Sequence, residues 1–101
     1  MNNTLSCENC ITRKLEALLK NICLIQGITI DQIKSKSRDR KILYTRHCFC
    51  KMAQFFYSAS SSVIGLIINR GHCAVLNSIK QVEEVKEIRS FYDEIIAEMN
   101  I

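Results

Sequence analysis

The residues best suited to chemistry are cationic and clustered. Arg70, Gly71 and His72 stand immediately before a helical pattern, in the stretch NRGHCAVLNSIKQV. The first turn of a helix leaves N–H groups without partners and carries partial positive charge, so an arginine and a histidine placed there make an anion-attracting end. A second concentration lies upstream. Between Lys34 and Lys51 there are seven basic residues (Lys34, Lys36, Arg38, Arg40, Lys41, Arg46, Lys51) against Asp39 alone. From Glu83 onward the balance reverses, with Glu83, Glu84, Glu87, Asp93, Glu94 and Glu98 against Lys86 and Arg89. A net charge of +4 distributed in this way suggests a polyanionic partner for the basic segment. A solvated charged loop is the plainer reading of the run taken alone.

Other constellations are weaker. Cys7 and Cys10 form a CxxC, but Cys48 and Cys50, two apart on a helix, point to different faces. No metal site is expected, and the six cysteines read as reduced, mostly small core residues of a cytoplasmic protein. There is no GxxxxGK[ST] phosphate loop, and the acid pairs Glu83/Glu84 and Asp93/Glu94 have no partner histidine. Neither an enzyme nor a nucleotide or other cofactor is therefore expected. No apolar run reaches membrane-spanning length, and no membrane partner is expected.

The elements that must position these residues are helical. With no proline and 3 glycines in 101 residues, long helices with short connections are favoured, in one domain spanning 1–101 with residues 1–9 flexible. From Ile11, the positions Leu15, Leu18, Leu19, Ile22 and Ile25 keep one stripe, and Gly27 can end that helix. Thr29 with Gln32 has capping-box spacing for a short helix, Ile30 to Ser35. KSRDRK then reads as a basic loop. Cys48, Phe49, Met52, Ala53, Phe55 and Phe56 predict a buried helix from Tyr44 to Tyr57, with the aromatic residues in or near the core. SASSS marks a stop and a new cap, and Val63 to Ile68 suits either a short helix or a strand. Ala74, Val75, Ile79 and Val82 line one face of a helix from His72, and Val85 to Met99 carries a last one. The expectation is an all-α, compact bundle of about six helices.

If Val63–Ile68 is helical, it forms a helix-turn-helix with the helix from His72. The first turn of the second helix would then present His72, Cys73, Ala74 and Asn77 toward base edges in a major groove, with Arg70 in the turn before.

At these residues the chain resembles a family. SKSRDRK, TRHCFCKMAQFF and RGHCAVLNSIKQVEEV, with Ile64 and Gly65 between them, are similar to the C-terminal DNA-binding domain (domain IV, a TrpR-like helix-turn-helix) of the bacterial replication initiator DnaA. The resemblance covers roughly residues 10 to 100. It implies that Arg38 enters a minor groove, with Lys36, Arg40 and Lys41 from the same loop near the duplex. It also implies that Arg46 reaches DNA from the long helix, and that Arg70 and His72 open the recognition helix. The family's aspartate is Gly71 here, its first threonine is Cys73, and the turn before Arg70 is one residue shorter.

The resemblance makes double-stranded DNA the expected partner of a stand-alone domain. Such a domain would occupy or compete for origin-type sites in replication initiation, or regulate a mobile element. Gly71 and Cys73 motivate an alternative, a helical protein-interaction module that lacks specific DNA binding. A helix-turn-helix subunit of a transposase or recombinase is a third reading.

Overall fold

The protein, described by a computed structural model over residues 3–99 with side chains from Cys10 onward, is a bundle of six helices, with no strand among the described residues. These are α1 (Asn3–Gln26), α2 (Ile30–Lys34), α3 (Arg40–Tyr57), α4 (Ser61–Ile68), α5 (His72–Glu84) and α6 (Lys86–Met99). The expectation of a flexible segment 1–9 concerns residues 1 and 2, which lie outside the described residues, and side chains that do so as well. None of the described helices is long and apolar enough to cross a membrane.

Each junction has a local cause. Gly27, at φ +69°, takes the left-handed conformation that ends α1, and Ile28 N–H donates to the Cys23 carbonyl at 3.0 Å. The Thr29/Gln32 box closes in both directions, at 3.1 and 2.8 Å, and starts α2. The Asp39 carboxylate accepts from Lys41 N–H at 3.1 Å, so α3 begins at Arg40, four residues before the expected start at Tyr44. The Ser60 hydroxyl accepts from Val63 N–H at 3.2 Å and starts α4, which settles Val63–Ile68 as helix.

α3 is the central strut and packs against all the other helices. Phe49, Leu15, Leu19, Ile22, Met52, Ile33, Ile64, Ile68, Val75, Val82 and Ile95 form the fully buried interior, each contributing roughly 1.5–3 kcal/mol by leaving water. Cys23, Cys48 and Cys50 are buried members of that core, while Cys10 and Cys73 are exposed. Two expectations are corrected. Phe55 and Phe56 are 66% and 38% exposed, because α3 is covered by neighbours along its middle and less so near its end. Ala74 is exposed, and the buried stripe of α5 runs through Val75, Ser78, Ile79 and Val82.

Candidate nucleic-acid interface

The turn between α4 and α5 is built by close approach. Asn69 is left-handed at φ 59°, and Arg70 N–H donates back to the Gly65 carbonyl at 2.8 Å. A Cβ at Gly65 would run into the backbone carbonyl oxygen of Arg70, so only glycine lets α4 sit this near the turn. Gly71 then caps α5 from an ordinary extended conformation with no side-chain hydrogen bond, and no acid lies in the first turn. The opening N–H groups of a 13-residue helix are thus left without a side-chain partner.

The loop between α2 and α3 is held from two sides. Arg46 is only 5% exposed; its Nε donates to the Ile33 carbonyl at 2.9 Å, and its Nη2 to those of Ser35 at 3.0 Å and Ser37 at 3.4 Å. Arg70 reaches the same segment from the helix-turn-helix, donating to the Lys34 carbonyl at 3.2 Å and to that of Ser35. Two guanidiniums therefore converge on the Ser35 carbonyl, one from α3 and one from the turn. Ser35 and Ser37 hydroxyls stiffen the loop further by accepting from Ser37 and Asp39 N–H, both at 3.2 Å.

This clasp changes the assignment of cations made from the sequence. Arg46 is not a free side chain reaching outward: its donors are turned onto carbonyls, and it acts as the tie between loop and bundle. Burial, and then the charge of Arg70, lower its pKa, although a guanidinium stays charged under such pressure. Arg40 leans to the other side of the loop, 3.7 Å from Glu87, and with Lys41 and Tyr44 borders a groove that also contains Glu94. It does not join the cluster around Arg38.

What remains together is a groove of about 690 Å³ between the loop and α5. It is bordered by Lys36, Arg38, Arg46 and Arg70, by the amides Asn69, Asn77 and Gln81, and by His47, with no carboxylate among its lining residues. A concave surface of one charge sign concentrates anions. Beside it, the exposed face of α5 offers His72, Cys73, Ala74, Leu76, Asn77 and Lys80. His72 Nε2 and Cys73 Sγ are 3.5 Å apart on that face.

His47 was not read from the sequence, Lys51 was read only as one of the seven basic residues, and Leu76 only as a match to the family's signature. His47 is buried, and its Nδ1 is hydrogen-bonded to Ser78 Oγ at 2.8 Å, joining α3 to the back of α5. Burial, and then the neighbouring Arg46, hold its pKa below the ordinary histidine value, so the imidazole is neutral near pH 7. Lys51 ties α3 to the end of α5 through Glu83 at 2.7 Å, and that pairing lowers the Glu83 pKa. Leu76 is an exposed apolar residue outside the Val75/Ile79/Val82 stripe.

The family model described as "Bacterial dnaA protein helix-turn-helix" matches residues 15–82. Among curated proteins, the chromosomal replication initiator protein DnaA of Thermotoga petrophila is 28% identical over 91 residues, covering 85% of this chain and 21% of that one. The protein of the same name from Thermotoga maritima is 26% identical over the same length and shares of each chain. The chain thus spans about a fifth of the length of the curated relatives it matches. No solved structure matches it significantly.

Proposed function

The chain belongs to the bacterial DnaA helix-turn-helix family, and from that premise we propose that it binds double-stranded DNA sequence-specifically. α5 lies in the major groove with His72, Cys73, Ala74 and Asn77 toward base edges. The 36–39 loop lies over the adjacent minor groove, with Lys36 at a phosphate and Arg38 inserted. A narrow A·T-rich minor groove has enhanced negative potential and favours such an arginine. Arg70 stands at the junction, where the open N–H groups of α5 also face the backbone. Arg46 holds the loop in position, and Arg40 and Lys41 stay at the margin. The observation that carries the reading is the carboxylate-free groove joining loop and recognition helix.

The sites bound are of the replication-origin type or belong to a mobile element. The relatives' name, replication initiator, supports the first. Occupation of such sites, in competition with an initiator, needs only the binding surface described above.

The test is selection of bound duplexes from a random library, then titration of the winner across salt concentrations. Neutralising about four to six phosphates gives a slope of log affinity against log salt between about −3.6 and −5.4. An enriched motif with that slope supports the proposal. Weak binding without enrichment replaces it with a charge-driven interaction module.

A further inference from the structure

We propose that the end of α3 is a self-association surface, on which a second copy of this chain docks through Phe55 and Phe56 about a two-fold axis. The proposal goes beyond the DNA-binding reading and uses none of the residues assigned to it.

Phe55 and Phe56 are the aromatic residues that the bundle leaves uncovered, at 66% and 38% exposure. They stand edge to face, with ring centroids 5.1 Å apart. Phe56 borders a shallow groove with Lys14 and Asn21 of α1, with Tyr57, and with Met99 of α6. Leu24, 75% exposed, continues the α1 stripe one turn beyond Asn21. The patch therefore joins α1, α3 and α6, and its aromatic and methionine side chains are those enriched at the centres of protein–protein interfaces.

The charges around the patch select its occupant. From one edge to the other, neighbours run in the order Lys14, Phe56, Phe55, Lys51, Glu83. Lys14 and Phe56 share the groove, Phe56 meets Phe55, Lys51 Nζ lies 5.7 Å from the Phe55 ring centroid, and Lys51 pairs with Glu83 at 2.7 Å. The α1 edge thus carries the cation Lys14, while the α5 edge sets Glu83 and Glu84 against Lys51 alone and is acidic. A cationic edge, an aromatic centre and an acidic edge in one line are self-complementary. Half a turn about the phenylalanine pair brings rings onto rings and sets Lys14 of each copy opposite the Glu83–Glu84 end of the other. A nucleic acid meets repulsion at the acidic edge, and a purely apolar helix leaves both charged edges unmatched.

Size sets the strength of the contact. A phenylalanine offers about 150–250 Å² when fully covered, so Phe55, Phe56 and Leu24 at their exposures supply roughly 300 Å² per copy, to which the rim adds. Stable interfaces bury about 800 Å² per partner, so pairing here is weak and concentration-dependent. It leaves the cationic groove free. The α3 residues of that groove, Arg46 and His47 among them, lie about 12–14 Å along the helix axis from Phe55, and the two linings share no residue. Leu66 is more exposed still, but its groove with Ile11 and Val63 has no charged residue in the lining to set a register.

Sedimentation equilibrium of the free protein, from micromolar to millimolar concentration, tests this without DNA and so separates its outcome from that of the duplex selection. The apparent mass of wild type should rise from one copy toward two. Phe55→Ser should weaken pairing by roughly tenfold or more, the scale of a central aromatic anchor, whereas Leu66→Ser keeps it. Both side chains lie outside the core, so far-UV circular dichroism should stay that of wild type. Lys14→Glu should weaken pairing as well, and adding Glu84→Lys should restore it. A wild type that stays monomeric throughout, a dimer undiminished in Phe55→Ser, or a charge swap that does not restore pairing overturns the inference.

Discussion

The seam that aims α5 is expected to weaken in mild acid, and His47 is the reason. Its Nδ1 is bonded to Ser78 Oγ at 2.8 Å on the buried side of α5, with Arg46 as its sequence neighbour on α3. In the unfolded chain the imidazole titrates near 6.5, whereas burial, and then the Arg46 charge, depress its pKa in the folded protein. As pH falls through the unfolded value, the unfolded state takes up a proton that the folded state refuses. Stability from keeping His47 neutral is therefore fully present above pH 6.5 and is lost as pH falls toward the folded pKa.

One such group gives a slope approaching about 1.36 kcal/mol per pH unit, hence a loss of at most about 1.4 kcal/mol between pH 7.5 and 5.5. For a domain of this size that corresponds to roughly 5–10 °C in Tm. Urea unfolding of wild type and His47→Gln across this range isolates the effect, since glutamine can still bond Ser78 but does not titrate. The wild type should lose stability toward acid relative to the variant. Parallel curves would refute the reasoning, because the loss would then belong to other groups.

The remaining predictions concern the loop and the turn. Gly65→Ala gains helix propensity but drives a Cβ into the Arg70 carbonyl, so a net loss of about 1–3 kcal/mol is expected in chemical denaturation; an unchanged midpoint would show that the turn can yield. Arg46→Met keeps the aliphatic stem and removes the donors to Ile33, Ser35 and Ser37; about 2–3 kcal/mol of stability should go, since charge-assisted bonds are lost and carbonyls are left unpaired. DNA affinity should fall with it while the salt slope stays that of wild type, and a slope shallower by about one would return Arg46 to the phosphates. Arg38→Ala should cost roughly 1–3 kcal/mol of binding to the selected site, and Arg40→Ala clearly less; the reverse order in a titration would move the groove to the Arg40 side of the loop.

Most of the fold was legible because burial leaves a period. Leu15, Leu18, Leu19 and Ile22 mark the inner face of α1, and Thr29, Ser60 and Gly27 mark ends through hydrogen bonds or backbone conformations that few residues supply. The start of α3 was not legible, because its first two residues, Arg40 and Lys41, continue the basic run and only the Asp39 cap announces it. Phe55 and Phe56 misled for the opposite reason: apolar spacing predicts a face but not whether neighbouring helices extend far enough to cover it.

The site divides along the same line. Sequence shows where cations concentrate, but a guanidinium on a long flexible stem can end several ångströms from its Cα, and what it meets there depends on segments distant in the chain. Arg46 meets the carbonyl of Ile33, 13 residues away, and Arg70 meets that of Lys34, 36 residues away. Both are fixed only when α2, α3 and the turn have assembled. The resemblance to a known family located the loop and the recognition helix, yet it could not distinguish a cation that faces outward from one that holds the loop. On the proposed reading, that distinction decides what the loop can do. With Arg46 and Arg70 turned onto the loop's own backbone, the loop is presented as a preorganised element, and Lys36 and Arg38 need little further ordering to engage an anion. Less conformational entropy is then lost on binding, which is how a short loop without secondary structure can contribute to affinity.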